Sequence, residues 1–351
     1  MTDSSPITIR PYRSDDERNL VALFGRAFGR PTTEQHWRWK LGQHTSPLDN
    51  VWLAMCDEQP VFQYAGIPTR FMLSRAPVTV MISVDTMTAP EFRRRGLLTT
   101  VAGRAYEAWR SAGIAFVIGL PNQQWGSRAV ALGWQPLFRL QWLVLPLHPE
   151  AMLARRLKMP WLKQASPLAT LWNRVLQWRL RCDAQLHTQR IVHADAAFDQ
   201  LWESCRSDWM FSTIRDRHWV NWRFLSSPSQ LYELNLARRA GTPVGYSAHS
   251  LIRSEHSISA HLAELFVARE DRAAHDTLLC GVLKSLRAAQ ADSLSTLAVP
   301  GTVSYRRLRR AGFIPRQAFS VQLVPLSPQL PMKAMLDPNQ WNLSGADFDV
   351  I

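Results

Sequence analysis

Three arginines and a glycine occupy consecutive positions, Arg93 to Gly96, shortly after the apolar run VTVMISVDTMT. That run has the composition of a buried strand, and the residues that follow, LLTTVAGRAYEAWRSAG, carry apolar side chains at helical spacing. A turn that opens a helix presents backbone N–H groups without intrahelical partners, and the helix dipole adds positive potential. Because Gly96 has no Cβ, an anion can approach the main chain there. The stretch predicts a phosphate site, with a solvated basic turn as the alternative.

The sequence repeats itself at a shift of 179 residues without a gap. The segment VDTMTAPEF falls on AELFVARED, GLPN falls on AVPG, and ALGWQPL falls on RAGFIPR. Glycine and proline positions also coincide, among them Gly133 with Gly312 and Pro136 with Pro315, and these residue types mark backbone turns. Further upstream, HWRWKLGQHTSP at 36–47 resembles HWVNWRFLSSPS at 218–229. The sequence therefore predicts two copies of one α/β unit.

Hydrophobic periodicity predicts the elements of the first copy. We expect ITIRPY to form a strand, DDERNLVALFGRAFG an amphipathic helix, and VWLAMCDEQPVFQYAGIPTRFMLS with APVTVMISVDTMT three strands. LLTTVAGRAYEAWRSAG follows as a helix that stops at Gly113, then AFVIGL as a buried strand, SRAVALG as a short helix and LFRLQWLVLPL as a last strand. This order predicts a mixed sheet with helices on its faces, in the α/β (α+β) class.

We expect four segments along the chain: a first unit at 1–148, a basic helical linker at 149–189, a second unit at 190–330 and a C-terminal tail at 331–351. The linker is rich in Arg, Lys, Trp and Leu. It is expected either to pack as a basic helix between the units or to make a peripheral contact with an anionic membrane. The tail is acidic, and we predict no regular secondary structure for it.

The composition indicates a globular protein with a preference for acidic partners. Of 351 residues 46% are hydrophobic, and 41 Lys and Arg against 28 Asp and Glu give a formal charge of +13, which favours phosphates, nucleotides, nucleic acid or anionic membranes. No apolar run approaches the ~20 residues of a membrane span, and the polar N-terminus favours a cytoplasmic protein without a signal peptide. Four cysteines lie far apart, without a CxxC pair or zinc-like histidine spacing: Cys56, Cys182, Cys205 and Cys280. We therefore expect reduced thiols and no metal.

Around Arg93 to Leu98 the chain resembles the GNAT superfamily of acyl-CoA-dependent N-acetyltransferases. Their pyrophosphate loop follows a strand and a proline and reads approximately Q/R-x-x-G-x-G/A. Here Pro90, Arg93, Gly96 and Leu98 occupy the corresponding positions. Leu98 departs from the small residue that is usual at its place.

The residues downstream of the loop extend the resemblance. The segment PNQQWGSRAVALGW matches the family's asparagine after the fifth strand with Asn122, and its helix-ending glycine and aromatic residue with Gly133 and Trp134. Two-unit chains with HWRWK-like and WRF-like elements also look similar to bacterial acetyltransferases associated with cell-envelope or exopolysaccharide synthesis. The resemblance covers both halves of the chain, the first more closely than the second.

The resemblance implies that acetyl-CoA lies between two splayed strands, as a substrate and without a metal. Its pantetheine would pair with the backbone near Thr86 to Thr88, and its pyrophosphate would lie over the arginine and glycine turn. The residues expected to bind it are Thr86, Met87, Thr88, Arg93, Arg94, Arg95, Gly96, Leu97, Leu98 and Asn122. For Asn122 an Asx-turn role is the alternative.

Direct acetyl transfer needs a base, a polarised thioester carbonyl and an acid for the departing thiolate. Asp85 lies where many relatives carry an acidic base, and the alternative is a carboxylate that binds a turn or an arginine. Backbone N–H groups around Met87 are candidates for polarising the carbonyl. The family's usual acid is a tyrosine seven residues after the asparagine, but that position holds Ala129. Tyr106, Tyr64 or a water is left to supply the proton, unless none is needed.

Three tryptophans, Trp37, Trp39 and Trp125, are candidates for stacking on a sugar or aromatic acceptor. The alternative for each is ordinary core packing. The sequence does not choose between these roles.

The second copy departs from the loop pattern. Arg272 remains, but Ala273, Ala274 and His275 replace the other two arginines and the glycine. A Cβ and an imidazole at the place where the pyrophosphate must approach predict a poor coenzyme binder. Glu264 matches Asp85, but a general base has no function in a unit that binds no acetyl donor. We therefore interpret the second unit as degenerate.

These observations predict an acetyl-CoA-dependent N-acetyltransferase that is active in its first unit and acts on an amine of a small molecule or activated sugar. One alternative is an aminoacyl-tRNA-dependent transferase of the peptidoglycan type, which the net charge would suit. The arginine and glycine turn favours acetyl-CoA and argues against a nucleic-acid partner. A second alternative is a non-catalytic scaffold of an envelope-assembly complex, supported by Ala129. The oligomeric state stays open.

Overall fold

The computed structural model describes residues 6–44, 48–121, 125–150, 159, 172, 174–176, 178–255 and 257–348. The chain forms two compact units. The first unit contains Met1–Phe138 and Ser320–Leu336, and the second contains Arg139–Phe319 and Asp337–Ile351. Each unit is thus built mainly from one copy of the repeat and receives a shorter segment from elsewhere in the chain.

The first unit carries the elements that the sequence predicted and one further helix. They are β1 (Thr8–Pro11), α1 (Glu17–Phe28), α2 (Glu34–Lys40), β2 (Val51–Cys56), β3 (Gln59–Leu73), β4 (Ala76–Thr88), α3 (Leu97–Ser111), β5 (Phe116–Gly119), α4 (Ser127–Ala131) and the start of β6 (Gln135–Pro146). Helix α2 was not predicted. It begins where the Thr33 hydroxyl accepts a hydrogen bond from the N–H of His36, and it positions residues that matter below.

A mixed sheet forms the centre of the first unit. Strands β1 to β4 are antiparallel neighbours, and β4 pairs in parallel with β5. The next strand beyond β5 is the C-terminal half of β13 (Ile314–Pro325), where Gln322 to Pro325 pair antiparallel with Gly119 to Phe116. The second copy of the repeat therefore supplies the strand that completes the first unit.

The second unit repeats this order. Its elements are β7 (Leu186–Ile191), α5 (Ala196–Cys205), β8 (Phe211–Thr213), α6 (Arg217–Val220), β9 (Tyr232–Arg239), β10 (Thr242–Ser254), β11 (Ser257–Val267), α7 (Arg272–Ala288), β12 (Ser293–Ala298) and α8 (Val303–Arg310). Strand β12 pairs antiparallel with residues 141–146 of β6, so the first copy in turn completes the second sheet. The two-unit mixed α/β fold predicted from the sequence is confirmed. The predicted segment limits stay predictions about the sequence copies, because the compact units exchange these strands.

Helix α3 packs on the first sheet through the face that periodicity predicted. Val101, Ala102, Ala105 and Trp109 are fully buried, whereas Leu98 is only half-buried. Gly113, with a φ of 78°, lies just past the helix in the left-handed region that favours glycine. A glycine therefore flanks the helix on each side.

The cysteine prediction was wrong for one pair, because Cys182 and Cys280 form a disulfide. Two hydrogen bonds dock the segment around Cys182 on α7: the Arg181 N–H donates to an Asp276 carboxylate oxygen at 3.3 Å, and the Asp183 N–H donates to the Thr277 hydroxyl at 3.0 Å. The two cysteines are 98 residues apart, so no local spacing reveals the pair. The other two cysteines are free.

The tail differs from expectation, and most of the linker lies outside the described residues. The tail forms α9 (Met332–Met335) and β14 (Trp341–Asn342), which pairs with β8, and the side chain of Phe348 is buried. Most of the predicted basic linker lies outside the described residues. Of its members, residues 172, 174–176, 178 and 179 are helical. Within the described ranges, no helix has the length and apolarity to cross a bilayer.

Candidate active site

In the first unit, a gap opens where β4 and β5 diverge. The two strands pair in parallel at Met81 with Val117 and at Ile82 with Ile118. Strand β5 ends at Gly119, whereas β4 continues to Thr88. Beyond the paired positions β4 keeps β3 on its other side only, so its backbone groups toward β5 are available to a ligand. The predicted binding residues Thr86, Met87 and Thr88 lie in this part of β4.

A β-bulge in β4 lies beside the gap. Gln63 pairs with Met87 and Ala65 pairs with Val84, so Asp85 and Thr86 together oppose a single residue of β3. Asp85 adopts a φ of 44°, which is rare for a residue with a side chain. The Gln63 side-chain amide donates to the Asp85 carbonyl at 3.0 Å and so helps to hold this conformation. Bulges of this kind redirect a side chain next to a functional site.

The redirected Asp85 carboxylate forms an ion pair with Lys40, the last residue of α2. Lys40 Nζ lies 2.6 Å from Asp85 Oδ2, and the two side chains are 4% and 11% exposed. Trp37, one turn earlier on the same helix, donates from Nε1 to Gln63 Oε1 at 3.4 Å. Helix α2 therefore contacts both the carboxylate and the glutamine that holds the bulge. The partner is a lysine rather than the arginine or turn considered from sequence.

The arginine and glycine turn has the geometry of an anion site. Gly96 adopts a φ of 76° and directly precedes α3, and no side chain caps the helix start. A Cβ built on Gly96 would meet no heavy atom within 4 Å, so the space beside the main chain is open. The first N–H groups of α3 therefore lack side-chain acceptors among the described residues. This arrangement fits a pyrophosphate.

The three arginines surround this helix start without closing it. Arg93, Arg94 and Arg95 are exposed. Arg95 lies over the ring of Phe92, 4.7 Å from its centroid, and an Arg93 guanidinium nitrogen donates to the Ala27 carbonyl at 3.4 Å. Their charges add positive potential to that of the helix dipole. Leu97 is buried and Leu98 half-buried, so a ligand at this helix start would meet their backbone N–H groups rather than their side chains.

Tyr106 belongs to a buried cluster of polar aromatic groups. Its hydroxyl lies 2.8 Å from that of Tyr64 and accepts a hydrogen bond from Trp134 Nε1 at 3.0 Å. Burial raises the pKa of Tyr64 to about 12 and raises the pKa of Tyr106 well above its usual value. Both phenols therefore keep their protons at neutral pH. Ala129, at the family's tyrosine position, is buried in α4, and its methyl group cannot donate a proton.

The remaining predicted residues are placed unequally. Trp37 and Trp39 are 3% and 8% exposed, which leaves them little surface for an acceptor. Trp125 is half-buried, with its ring 5.5 Å from that of Trp134. Asn122 lies outside the described residues. Across the described chain, no group of three or more His, Cys, Asp or Glu side chains is placed to hold a metal ion.

Sequence reasoning missed Lys40, although a signal was present. In the segment EQHWRWK, Trp37 and Lys40 are three residues apart, so both lie on one face of a helix. A lysine on an apolar helical face needs a buried counter-ion. The sequence does not say which acid supplies it, because Asp85 lies on a distant strand.

The second unit has no equivalent loop. At the shift of the repeat Gly96 matches His275, but α7 already begins at Arg272, so His275 is helical and buried. The N-cap of α7 is Asp271, whose carboxylate accepts from the Ala274 N–H at 2.9 Å. The aspartate takes up one N–H group of this helix start and places a negative charge there, which disfavours a pyrophosphate. An extra helical turn therefore occupies the position of the loop in the second unit.

Comparisons with known proteins agree with this geometry. Residues 8–135 match the family model described as acetyltransferase (GNAT) domain. A search of curated proteins by sequence found no significant match. The matched stretch contains every element that surrounds the gap between β4 and β5, except the strand supplied by β13.

Solved structures share the fold of the whole chain at low sequence identity. A GCN5-related N-acetyltransferase from Anabaena variabilis has a TM-score of 0.66 and 12% identity, over 92% of this chain and 73% of that one. A tandem GNAT protein from the clavulanic acid biosynthesis pathway has a TM-score of 0.59 and 14% identity, over 92% of this chain and 100% of that one. N-myristoyltransferase from Saccharomyces cerevisiae has a TM-score of 0.58 and 11% identity, over 92% of this chain and 85% of that one. Residues 8–135 are therefore similar in sequence to an acetyltransferase (GNAT) domain, and the chain has a mixed α/β fold like that of GNAT structures, a tandem GNAT protein among them.

Proposed function

We propose that the first unit transfers an acetyl group from acetyl-CoA directly to an amine. The observation that carries this proposal is the uncapped helix start at Gly96 beside the diverging strands β4 and β5. Together these features offer N–H groups to a pyrophosphate and a free strand edge to an extended pantetheine. In the second unit the corresponding helix start is capped by Asp271, so we assign activity to the first unit alone.

Each binding residue has a defined part in this proposal. The N–H groups of Leu97 and Leu98 receive the pyrophosphate, with the guanidinium groups of Arg93 to Arg95 around it. The free edge of β4 from Thr86 to Thr88 pairs with the pantetheine amides. A backbone N–H near Met87 then polarises the thioester carbonyl, at a strand end where donors are unpaired.

Two side chains are proposed to move protons. Asp85 takes the proton of the acceptor amine, and Lys40 holds the carboxylate in place through Oδ2. Tyr106 is the proposed donor to the departing thiolate, because it keeps its proton at neutral pH and Ala129 has none to give. Trp134 and Tyr64 fix the orientation of its hydroxyl.

The acceptor is proposed to be an amine on a small molecule or activated sugar, in polysaccharide biosynthesis. The formal charge of +13 suits the phosphate groups of an activated sugar, and Trp125 is the tryptophan of the three with surface left for stacking. A donor made in the cytoplasm favours that compartment. The Cys182–Cys280 disulfide argues against it, since disulfides are rare there. Thiol labelling of this pair in intact cells tests the compartment.

Calorimetric titration with acetyl-CoA tests the proposed function. We expect one site per chain, and we expect Gly96→Trp to abolish binding because the indole would fill the open space beside the main chain. Arg95→Glu should also abolish it by placing a negative charge beside the pyrophosphate. Arg110→Glu, an equal charge change at the far end of α3, is the matched control and should bind normally.

The outcomes separate the competing functions. Acetyl-CoA binding that survives both loop substitutions would contradict the assignment of the loop. Failure of the unaltered protein to bind acetyl-CoA, together with binding of aminoacyl-tRNA, would support the tRNA-dependent alternative. Failure to bind either would favour a scaffold. A screen of amine acceptors with thiol release as readout then identifies the acceptor class.

A further inference from the structure

The second unit contains a cavity of about 70 Å³ at its own pair of diverging strands. Strands β11 and β12 pair in parallel from Ser259 with Ser293 to Leu262 with Thr296, and the cavity lies beyond the last of these pairs. Helices α7 and α8 and the chain segment 341–344 form its other walls. By volume it has room for roughly five water molecules, or for one small molecule of that size.

This cavity is unsuited to a nucleotide thioester. The Asp271 carboxylate occupies the helix start where a pyrophosphate would bind, and it is also paired with Arg239 at 2.9 Å. His275 lies within the first turn of α7 instead of an open loop. A ligand of the cavity must therefore be small and must be recognised by the cavity walls.

Several polar groups on these walls are already satisfied. Glu264 receives hydrogen bonds from Arg215 Nε at 2.7 Å and from the Ser344 hydroxyl at 3.1 Å. The Thr296 hydroxyl donates to the Leu262 carbonyl at 2.8 Å, and the Arg269 guanidinium donates to the Asn339 carbonyl at 2.9 Å. These groups shape the cavity without needing a ligand.

His275 lines the cavity and carries a buried ring nitrogen without a hydrogen-bond partner. Its side chain is 1% exposed, and Nε2 has no hydrogen-bond partner among the described residues. Nδ1 lies 3.1 Å from Asp276 Oδ1. Hydrogen bonds from His275 and Arg181 lower the pKa of Asp276, and burial lowers the pKa of His275, so an ionised carboxylate faces a neutral ring. The ring proton then lies on Nδ1, which leaves Nε2 as a buried acceptor without a donor.

Arg307 offers a positive charge to the same cavity. It is half-buried on α8, and within the described ranges its guanidinium forms no hydrogen bond or ion pair. Burial lowers its pKa, and its charge contributes to the lowered pKa of His275. Both side chains line the same cavity. Glu270, Asp271 and Asp276 act on it electrostatically without pairing with it, so its donors remain available to a carboxylate or phosphate, which a guanidinium binds in bidentate fashion.

We propose that this cavity binds a small hydroxylated anion, either hydrogen phosphate or a short hydroxycarboxylate. Arg307 holds the anionic group, and His275 Nε2 accepts a hydrogen bond from the hydroxyl. The site requires no acetyl-CoA and is separate from the function proposed for the first unit.

Paired anions that differ in one hydroxyl test the proposal. Inorganic phosphate is compared with sulfate, and glycolate with acetate, by calorimetry slightly above neutral pH. We expect saturable binding and an affinity at least about tenfold higher for the hydroxylated member of each pair, because the other leaves Nε2 unsatisfied. NMR of the imidazole nitrogens should show the His275 signal shifting with phosphate at the same midpoint.

Variants locate the binding and separate it from the first unit. Arg307→Gln should weaken phosphate binding at least about tenfold, whereas Arg310→Gln, an equal change at an exposed position of α8, should leave it unchanged. In the Gly96→Trp background the loop of the first unit is blocked, so phosphate that still binds must bind elsewhere. We expect binding to persist in this background, because the cavity lies in the second unit. Loss of phosphate binding in that background, no saturable binding of phosphate and glycolate, or an unmoved His275 signal would overturn the proposal. The His275 signal needs no substitution, so it remains decisive if Arg307→Gln fails to fold.

Discussion

Replacement of Lys40 by methionine removes one member of the buried ion pair and leaves the other. Met has a similar length and no charge, so the main change is a carboxylate at Asp85 without its counter-ion. The two side chains are 4% and 11% exposed, so solvent cannot replace the lost partner. Breaking one side of such a pair costs about 3–5 kcal/mol. Because Asp85 keeps some exposure, we expect the lower end, about 3 kcal/mol.

Thermal unfolding followed by calorimetry measures this loss. For units of this size, 1 kcal/mol corresponds to roughly 2–4 °C, so the transition of the first unit should fall by about 6–12 °C. Arg26→Met is a matched control, since Arg26 pairs with Glu91 at 3.0 Å while both side chains are about half exposed. That exposed pair should contribute at most about 1 kcal/mol.

The double variant Lys40→Met/Asp85→Asn distinguishes the pair from simple packing. Removal of both charges should restore much of the stability, because no isolated buried charge remains. If Lys40→Met and the double variant lose equal stability, or if Lys40→Met unfolds like the Arg26 control, the argument from burial is refuted. The carboxylate would then be held by other groups.

Three further predictions concern separate parts of the chain. Asp85→Asn should lower kcat by about 10²- to 10⁴-fold if Asp85 is the base, with acetyl-CoA affinity unchanged by calorimetry; an unchanged rate of thiol release would exclude that role. Burial lowers the pKa of His261 to about 3 from 6.5, so the folded state binds fewer protons than the unfolded state. The contribution of His261 to the free energy of unfolding is therefore fully present above about pH 6.5. It is lost as the pH falls toward 3, by up to about 4 kcal/mol. His261→Gln should flatten this loss in urea titrations at several pH values, and an unaltered pH dependence would contradict it. Reduction of the Cys182–Cys280 disulfide should lower the stability of the second unit by about 2–5 kcal/mol, whereas Cys56→Ser, which removes a free thiol, should have little effect; calorimetric transitions that do not move on reduction would argue against a stabilising bond.

Local patterns predicted the order of elements in the first unit except for helix α2. Apolar periodicity is set by neighbouring residues, and Gly96 and Gly113 mark the two ends of α3 because few other residues adopt a positive φ cheaply. The repeat carried this order into the second unit: β13 follows β6 at the same shift of 179 residues that the sequence shows. Helix α2 was missed because its tryptophan-rich segment has no strong apolar period.

The sequence of the second unit contains a helix N-cap signal at Asp271. Asp271 precedes RAAHDTLL, and aspartate before a helical segment is a common N-cap. Its presence predicts that α7 begins before His275 and that no open loop exists there. Local sequence could not predict that the tail is buried, because Asp347 pairs with Arg215, which is distant in the sequence.

The amino-acid sequence by itself determined the repeated α/β order and the glycine turn that opens α3, because both depend on backbone preferences over a few residues. Only the tertiary structure decided which distant groups meet: Lys40 with Asp85, Cys182 with Cys280, and Arg307 with His275 around one cavity. It also decided that each sheet is completed by a strand from the other copy. The physical reason is that burial and charge pairing depend on distances in space, which neither periodicity nor spacing along the chain encodes.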